Sequence, residues 1–254
     1  MISRKRTLLN EDFEIHDTLN PKIWDENGKL YPEIRQKIID IVANFEEYIE
    51  IPIHIVDVVL VGSNASYNYT QHSDLDVHII VNPEFTPEIP EDVLKIIYDA
   101  KKSSFNKTFD IKLKGVPVEV YVEDIKTNVV SNGIYSVCDD KWIKEPKQNK
   151  SITKHNVENE LASWMEKISE VLQSGDYDQI ANAIDTLYLM RKNSIAIDGE
   201  YGKGNEIFKT LRDRGYLDKL KEELNKALSK QLSLESLHTK VYYSQGQYVN
   251  RHED

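Results

Sequence analysis

Apolar side chains recur at Ile34, Ile38, Ile41, Val42, Phe45 and Ile49. Those three- and four-residue steps line one stripe of a helix, and Pro32 suits its first turn. The pattern then changes. "IVDVVLVGS" is a β-branched run ending at Gly62, and "SDLDVHIIV" alternates apolar and polar before Asn82-Pro83 and "PEFTPEIPED" stop it. A short helix is expected around "EDVLKIIYDAKK", then strands at "TFDIKLKG" and "VPVEVYVED" joined as a hairpin at Gly115. Past the polar "KQNKSITK", strand-like runs cease. Val157, Leu161, Trp164, Ile168 and Val171 fall at helical spacing, "YDQIANAIDTLYLMRKNSIAI" does likewise, and two more helical segments flank "DRGY", where Gly215 is placed to end one. The tail "VYYSQGQYVNRHED" reads as an edge strand or a loose end. The expected architecture is an α+β domain over 1–150 followed by a helical domain over 151–254.

Alternation decides where the chemistry lies. In a strand, residues two apart share a face. Leu75, Val77, Ile79 and Val81 therefore face the core, while Asp74, Asp76 and His78 face the other way. Two carboxylates about 6–7 Å apart repel each other unless they share cations. Hard divalent ions prefer oxygen ligands, and Mg²⁺ takes one or two carboxylates along with phosphate oxygens and water. "VPVEVYV" supplies a third carboxylate by the same rule: its valines form the apolar face, leaving Glu119 and Tyr121 opposite. Gly62 permits a tight turn with close backbone approach to a ligand. With Ser63 and the N–H groups that follow, it is expected to cradle phosphates. No Lys-Ser or Lys-Thr follows at Walker A spacing. His72 and His78 are read as surface or core histidines before metal ligands.

Composition narrows the partners. A net charge of −11 argues against a broad basic surface gripping nucleic acid, though not against a local basic groove. Cys138 is the single cysteine, which excludes a disulfide framework or a thiolate cluster. No run reaches the ~18 apolar residues of a spanning helix. The basic start "MISRKRTLLNEDFEIHD" lacks the apolar core of a signal peptide, so a cytoplasmic location without membrane association is the expectation.

The segment "VGSNASYNYTQHSDLDVHIIV" resembles the signature of the DNA polymerase β-like nucleotidyltransferase superfamily: a Gly-Ser turn, a short helix, Asp-x-Asp on the next strand and a third carboxylate on a later one. The resemblance implies a nucleotidyltransferase fold, a small mixed β-sheet flanked by helices. It implies two Mg²⁺ ions, with Mn²⁺ as an alternative, on Asp74, Asp76 and Glu119, and a triphosphate held by Gly62 and Ser63. Glu119 replaces the commoner aspartate, and Ser66-Tyr67 stand where minimal nucleotidyltransferases carry Arg-Gly. "GIYSVCDDKWIKEP" and "MRKNSIAIDGEYGKGNEIFKTLRDRGYLDKL" look like segments of nucleotidyltransferase-domain proteins of bacteriophages and bacteria. That likeness implies a helical domain closing over the nucleotide, with Lys209 and Arg212 at the triphosphate and Tyr135 and Ser136 at the sugar or base. The expected activity is transfer of a nucleoside monophosphate from an NTP to an acceptor hydroxyl. The acceptor stays open between a small molecule, a protein and an RNA end. The alternative is a catalytically silent NTP-binding regulatory or antitoxin-like module.

Overall fold

The computed structural model describes residues 15–148 and 157–233, with the strand backbones of 241–244 and 247–250. Helix α1 spans Pro32–Ile49 and buries the six apolar residues that its periodicity picks out. Strands β1 (Ile55–Val61) and β2 (Leu75–Val81) follow, joined through a short 3-10 turn at Ser63–Ala65. Helix α2 is longer than expected, Glu91–Thr108, and leads to β3 (Lys112–Leu113) and β4 (Val116–Asp124). Strands β5 (Ile134–Ser136) and β6 (Lys141–Lys144) complete a mixed six-stranded sheet of order β3-β4-β2-β1-β5-β6. Only β2 and β4 pair in parallel, and the other neighbours are antiparallel.

The strand expected over "TFDIKLKG" shrinks to two residues for a reason visible at the sheet edge. A two-residue turn at Lys114 and Gly115, both with positive φ (47° and 81°), returns the chain into β4. Beyond it the open edge of β4 is satisfied by other groups. Ile111 O accepts from Val118 N, and the Asn106 amide of α2 both donates to Val120 O (2.9 Å) and accepts from Val120 N (3.0 Å). A side-chain amide thus stands in for the missing neighbour strand at Val120.

The chain divides into two compact units. The first runs to His155 and also takes Ser194–Lys203, a segment the sequence reading put with the helical part. Its core packs α1 and α2 on the apolar sheet face through Ile38, Phe45, Leu60, Val77, Phe105 and Val120, with Trp24 and Tyr135 wholly buried among them. The second unit holds α3 (Glu158–Ser174), most of α4 (Tyr177–Asp198), most of α5 (Lys203–Asp213) and α6 (Tyr216–Leu232). It has its own core, including Leu161, Ile168, Leu187, Phe208, Leu211 and Leu220. The tail, left between edge strand and loose end, forms a two-stranded hairpin of β7 (Val241–Ser244) and β8 (Gln247–Asn250).

A candidate active site on the polar sheet face

Burial alternates without a break along both central strands. Leu75, Val77, Ile79 and Val81 are buried and Asp76, His78 and Ile80 half-buried; Val116, Val118, Val120 and Val122 are buried and Glu119, Tyr121 and Glu123 half-buried. The parallel register sets Asp76 directly against Glu119, and His78 against Tyr121. Asp74 sits just before β2, two residues ahead of Asp76. The sheet therefore gathers all three carboxylates at one end of its polar face.

Gly62 closes the same corner. Its φ is 73°, and a Cβ built on it would overlap Asp76 Oδ2. Any larger residue there strains the backbone and displaces that carboxylate. Ser63 follows, its hydroxyl donating to Ser73 Oγ at 2.9 Å, beside the Asp74 backbone.

The turn is held by Asn64, a wholly buried residue to which the sequence reading gave no part. Its amide donates to Ser73 O (3.1 Å) and Asp74 O (2.8 Å) and accepts from Asn20 Nδ2 (2.7 Å), while Trp24 Nε1 donates to its carbonyl (2.6 Å). One side chain thus ties the glycine turn to the segment presenting Asp74. A second set of bonds reaches the turn from far along the chain. Gly62 N donates to Ser131 Oγ (3.1 Å), and Ser131 Oγ and Asn132 N both donate to Glu200 Oε1 (2.9 Å each). Asn132 Nδ2 donates to Ser66 Oγ (2.8 Å), and Ser66 Oγ and the Tyr201 hydroxyl share a bond of 3.1 Å. These contacts explain why Ser194–Lys203 packs with the first unit. The one local hint was a polar Asn64 two residues after the turn glycine; Glu200 lies 69 residues from Ser131 and gave none.

Tyr121 stands among the carboxylates. Its phenol donates to Glu119 Oε2. Its pKa is raised by burial first, then by that bond, then by the charges of Asp76, Glu119 and Asp74, so it remains a protonated donor. Its ring stacks on His78 at 4.7 Å. His78 is pushed down to about 4 by burial, helped by the Lys102 charge. Glu123 Oε1 lies 3.6 Å from His78 Nδ1, too far for a hydrogen bond, so burial prevails and the ring is neutral near pH 7.

Tyr135 and Ser136, expected at the sugar or base, are both buried and hydrogen-bonded within the first unit. Tyr135 is wholly buried on the core face, packed edge-on against Trp24 and Trp142, and donates to Asp140 Oδ1 (2.8 Å). Ser136 is also buried, and its hydroxyl donates to Asp57 Oδ1 (2.8 Å). Strand β5 sets Tyr135 against Leu60 of β1, a wholly buried core residue. Lys209 and Arg212 lie in α5, in the second unit; Lys209 is buried, and Arg212 Nε donates to Asp213 Oδ1 (2.9 Å). His72 is exposed.

The donor set suits a hard divalent cation: carboxylate oxygens without thiols, at a corner kept open by a glycine. As they stand, no three His, Cys, Asp or Glu side chains among the described residues are drawn close enough together to hold a metal ion.

A Gly-Ser turn packed on an Asp-x-Asp strand, with a third carboxylate in register on a parallel neighbour, defines a class of nucleotidyl-transfer folds. The chain belongs to the nucleotidyltransferase domain family, whose model matches residues 35–162, about half its length, from within α1 to the start of α3. That family generally uses divalent metal ions. Compared against curated proteins, the chain matches none. Among the described residues no helix is long and apolar enough to cross a membrane.

Proposed function

We propose that this protein transfers a nucleoside monophosphate from an NTP to an acceptor hydroxyl and releases pyrophosphate, with two Mg²⁺ ions held by Asp74, Asp76 and Glu119. The observation that carries the reading is the register of Asp76 against Glu119 across parallel β2 and β4, with Gly62 packed on the Asp76 carboxylate. Asp74, Asp76 and Glu119 would hold the divalent cations, which would neutralise the leaving pyrophosphate and lower the pKa of the acceptor hydroxyl. Ser63 and the backbone of the turn bind the triphosphate. Glu119 takes the acceptor's proton, since a carboxylate beside that hydroxyl has the reach of a general base. The acceptor oxygen attacks the α-phosphorus in line with the bond to the leaving pyrophosphate. A small molecule or a protein suits the acidic chain better as acceptor than a long polynucleotide does, given its −11 net charge.

The test is incubation with each labelled NTP, Mg²⁺ and candidate acceptors. Pyrophosphate release should fall by about 100–1,000-fold in Asp76→Ala, the scale of losing a preorganised electrostatic group. One observation favours a second reading, a silent NTP-binding module: the three carboxylates are not yet converged. Tight NTP binding without turnover, unchanged in Asp76→Ala, would establish that module instead.

A further inference from the structure

Glu119 carries one more rotatable bond than the aspartate commonly found at its position, so its carboxylate must be aimed by something. Among the described residues its hydrogen-bond partner is the Tyr121 phenol, which donates to Oε2 and leaves Oε1 open. That phenol is itself fixed. His78 stacks on one side of the ring, with 26° between the planes, and the Lys102 ammonium lies 5.2 Å from the ring centroid. Lys102 is anchored in turn by Asp99 at 2.9 Å. The backbone between Glu119 and Tyr121 is clamped as well, because both polar groups of Val120 bond the Asn106 amide. A donor held by a stacked ring, a cation and a pinned strand is an outlay of structure that a solvated glutamate does not need.

We propose that Tyr121 is a positioning residue that aims Glu119 at the divalent-cation site formed with Asp74 and Asp76. The inference rests on the reading given under Proposed function. A carboxylate with one oxygen committed to a fixed donor offers the other over a narrow range of directions, which is how outer hydrogen bonds tune ligands. Because the glutamate is long enough to lean toward residue 121, the phenol acts on Glu119 and would not reach an aspartate there.

The experiment is a Mn²⁺ titration with a non-hydrolysable NTP analogue, following free Mn²⁺ by electron paramagnetic resonance. It compares the wild-type chain, Tyr121→Phe, Glu119→Asp and the double variant, with urea unfolding midpoints as the folding control. The expected result is about 10–100-fold weaker Mn²⁺ binding in Tyr121→Phe at an unchanged unfolding midpoint. In the Glu119→Asp background, the same substitution should have no further effect. Three results would overturn the assignment: unchanged Mn²⁺ affinity in Tyr121→Phe, tighter binding, or an equal loss in both backgrounds. Tighter binding would mean that the phenol holds Glu119 away from the metal; an equal loss would reduce Tyr121 to a packing residue. A wild-type chain that takes up no Mn²⁺ at all overturns the underlying reading too, which separates the two failures.

Discussion

The polar face of β2 and β4 and the turn that closes it are built by different rules. On the strands, position follows from parity. Once Val77 and Val120 are committed to the core, Asp76 and Glu119 must face the other way, and the register sets them side by side. The turn obeys no local period. Gly62, Ser63 and Asn64 are placed by hydrogen bonds to Asn20, Ser73 and Ser131, some of them far away in the chain. The difference teaches where substitutions should act. On the strand face they should change chemistry and leave the fold alone, whereas at the turn they should cost stability first.

Asn64→Ala tests that contrast most severely. It removes the acceptor for Asn20 Nδ2 and the donor for two backbone carbonyls, all in a buried pocket. Each buried group left unsatisfied costs about 1–3 kcal/mol, so a loss near 2–4 kcal/mol is expected once relaxation is allowed for. Urea unfolding measures it directly. A loss under about 1 kcal/mol would mean that the turn does not depend on this amide, and the contrast with the strand face would fail.

The same contrast explains what could be read from the sequence. Periodicity gave α1 its six buried residues, and alternation separated Asp76 and Glu119 from the valines around them. The Gly-Ser turn was legible because only glycine tolerates a positive φ beside a carboxylate. The burial of Tyr135 was not legible, because β5 has only three residues, too few to display a period. Glu200 and Tyr201 were invisible for another reason. Their role depends on a return of the chain to Ser131 and Ser66, and no spacing near "DGEYGKG" announces it. Strand β3 lost most of its expected length to α2 and to the Asn106 amide, a tertiary effect that overrides local propensity.

His78 sharpens the comparison from the strand side, because it shares the carboxylates' face yet behaves as a buried residue. Tyr121 stacks on it, Glu123 lies 3.6 Å away, and Lys102 adds positive charge nearby. Its pKa falls to about 4 in the folded chain from an ordinary 6.5. Between those values the unfolded chain binds the extra proton, so stability is full above about pH 6.5 and is lost as the pH falls toward 4. The expected loss from this residue is about 2 kcal/mol between pH 7 and pH 5. It is read as the difference in pH dependence of unfolding between wild type and His78→Phe, which cancels the common carboxylate titrations. If the two curves run parallel, burial does not hold His78 neutral, and the polar face is more solvated than its packing implies.

The smallest expected effect lies at the joint between the two regions. Ser131 Oγ accepts from Gly62 N and donates to Glu200, so Ser131→Ala leaves the turn glycine without that acceptor while Asn132 N still bonds Glu200. The stability cost should be about 1 kcal/mol, the net worth of one such bond. If the turn holds the triphosphate, freeing its first N–H changes how the turn is aimed without touching Asp76 or Glu119. A few-fold rise in KM for the NTP with kcat nearly unchanged is therefore expected, because binding common to ground and transition states has been weakened. A fall in kcat at constant KM would mean that Gly62 acts through the Asp76 carboxylate it packs against, and the turn would then belong to the chemistry of the strand face rather than to its support.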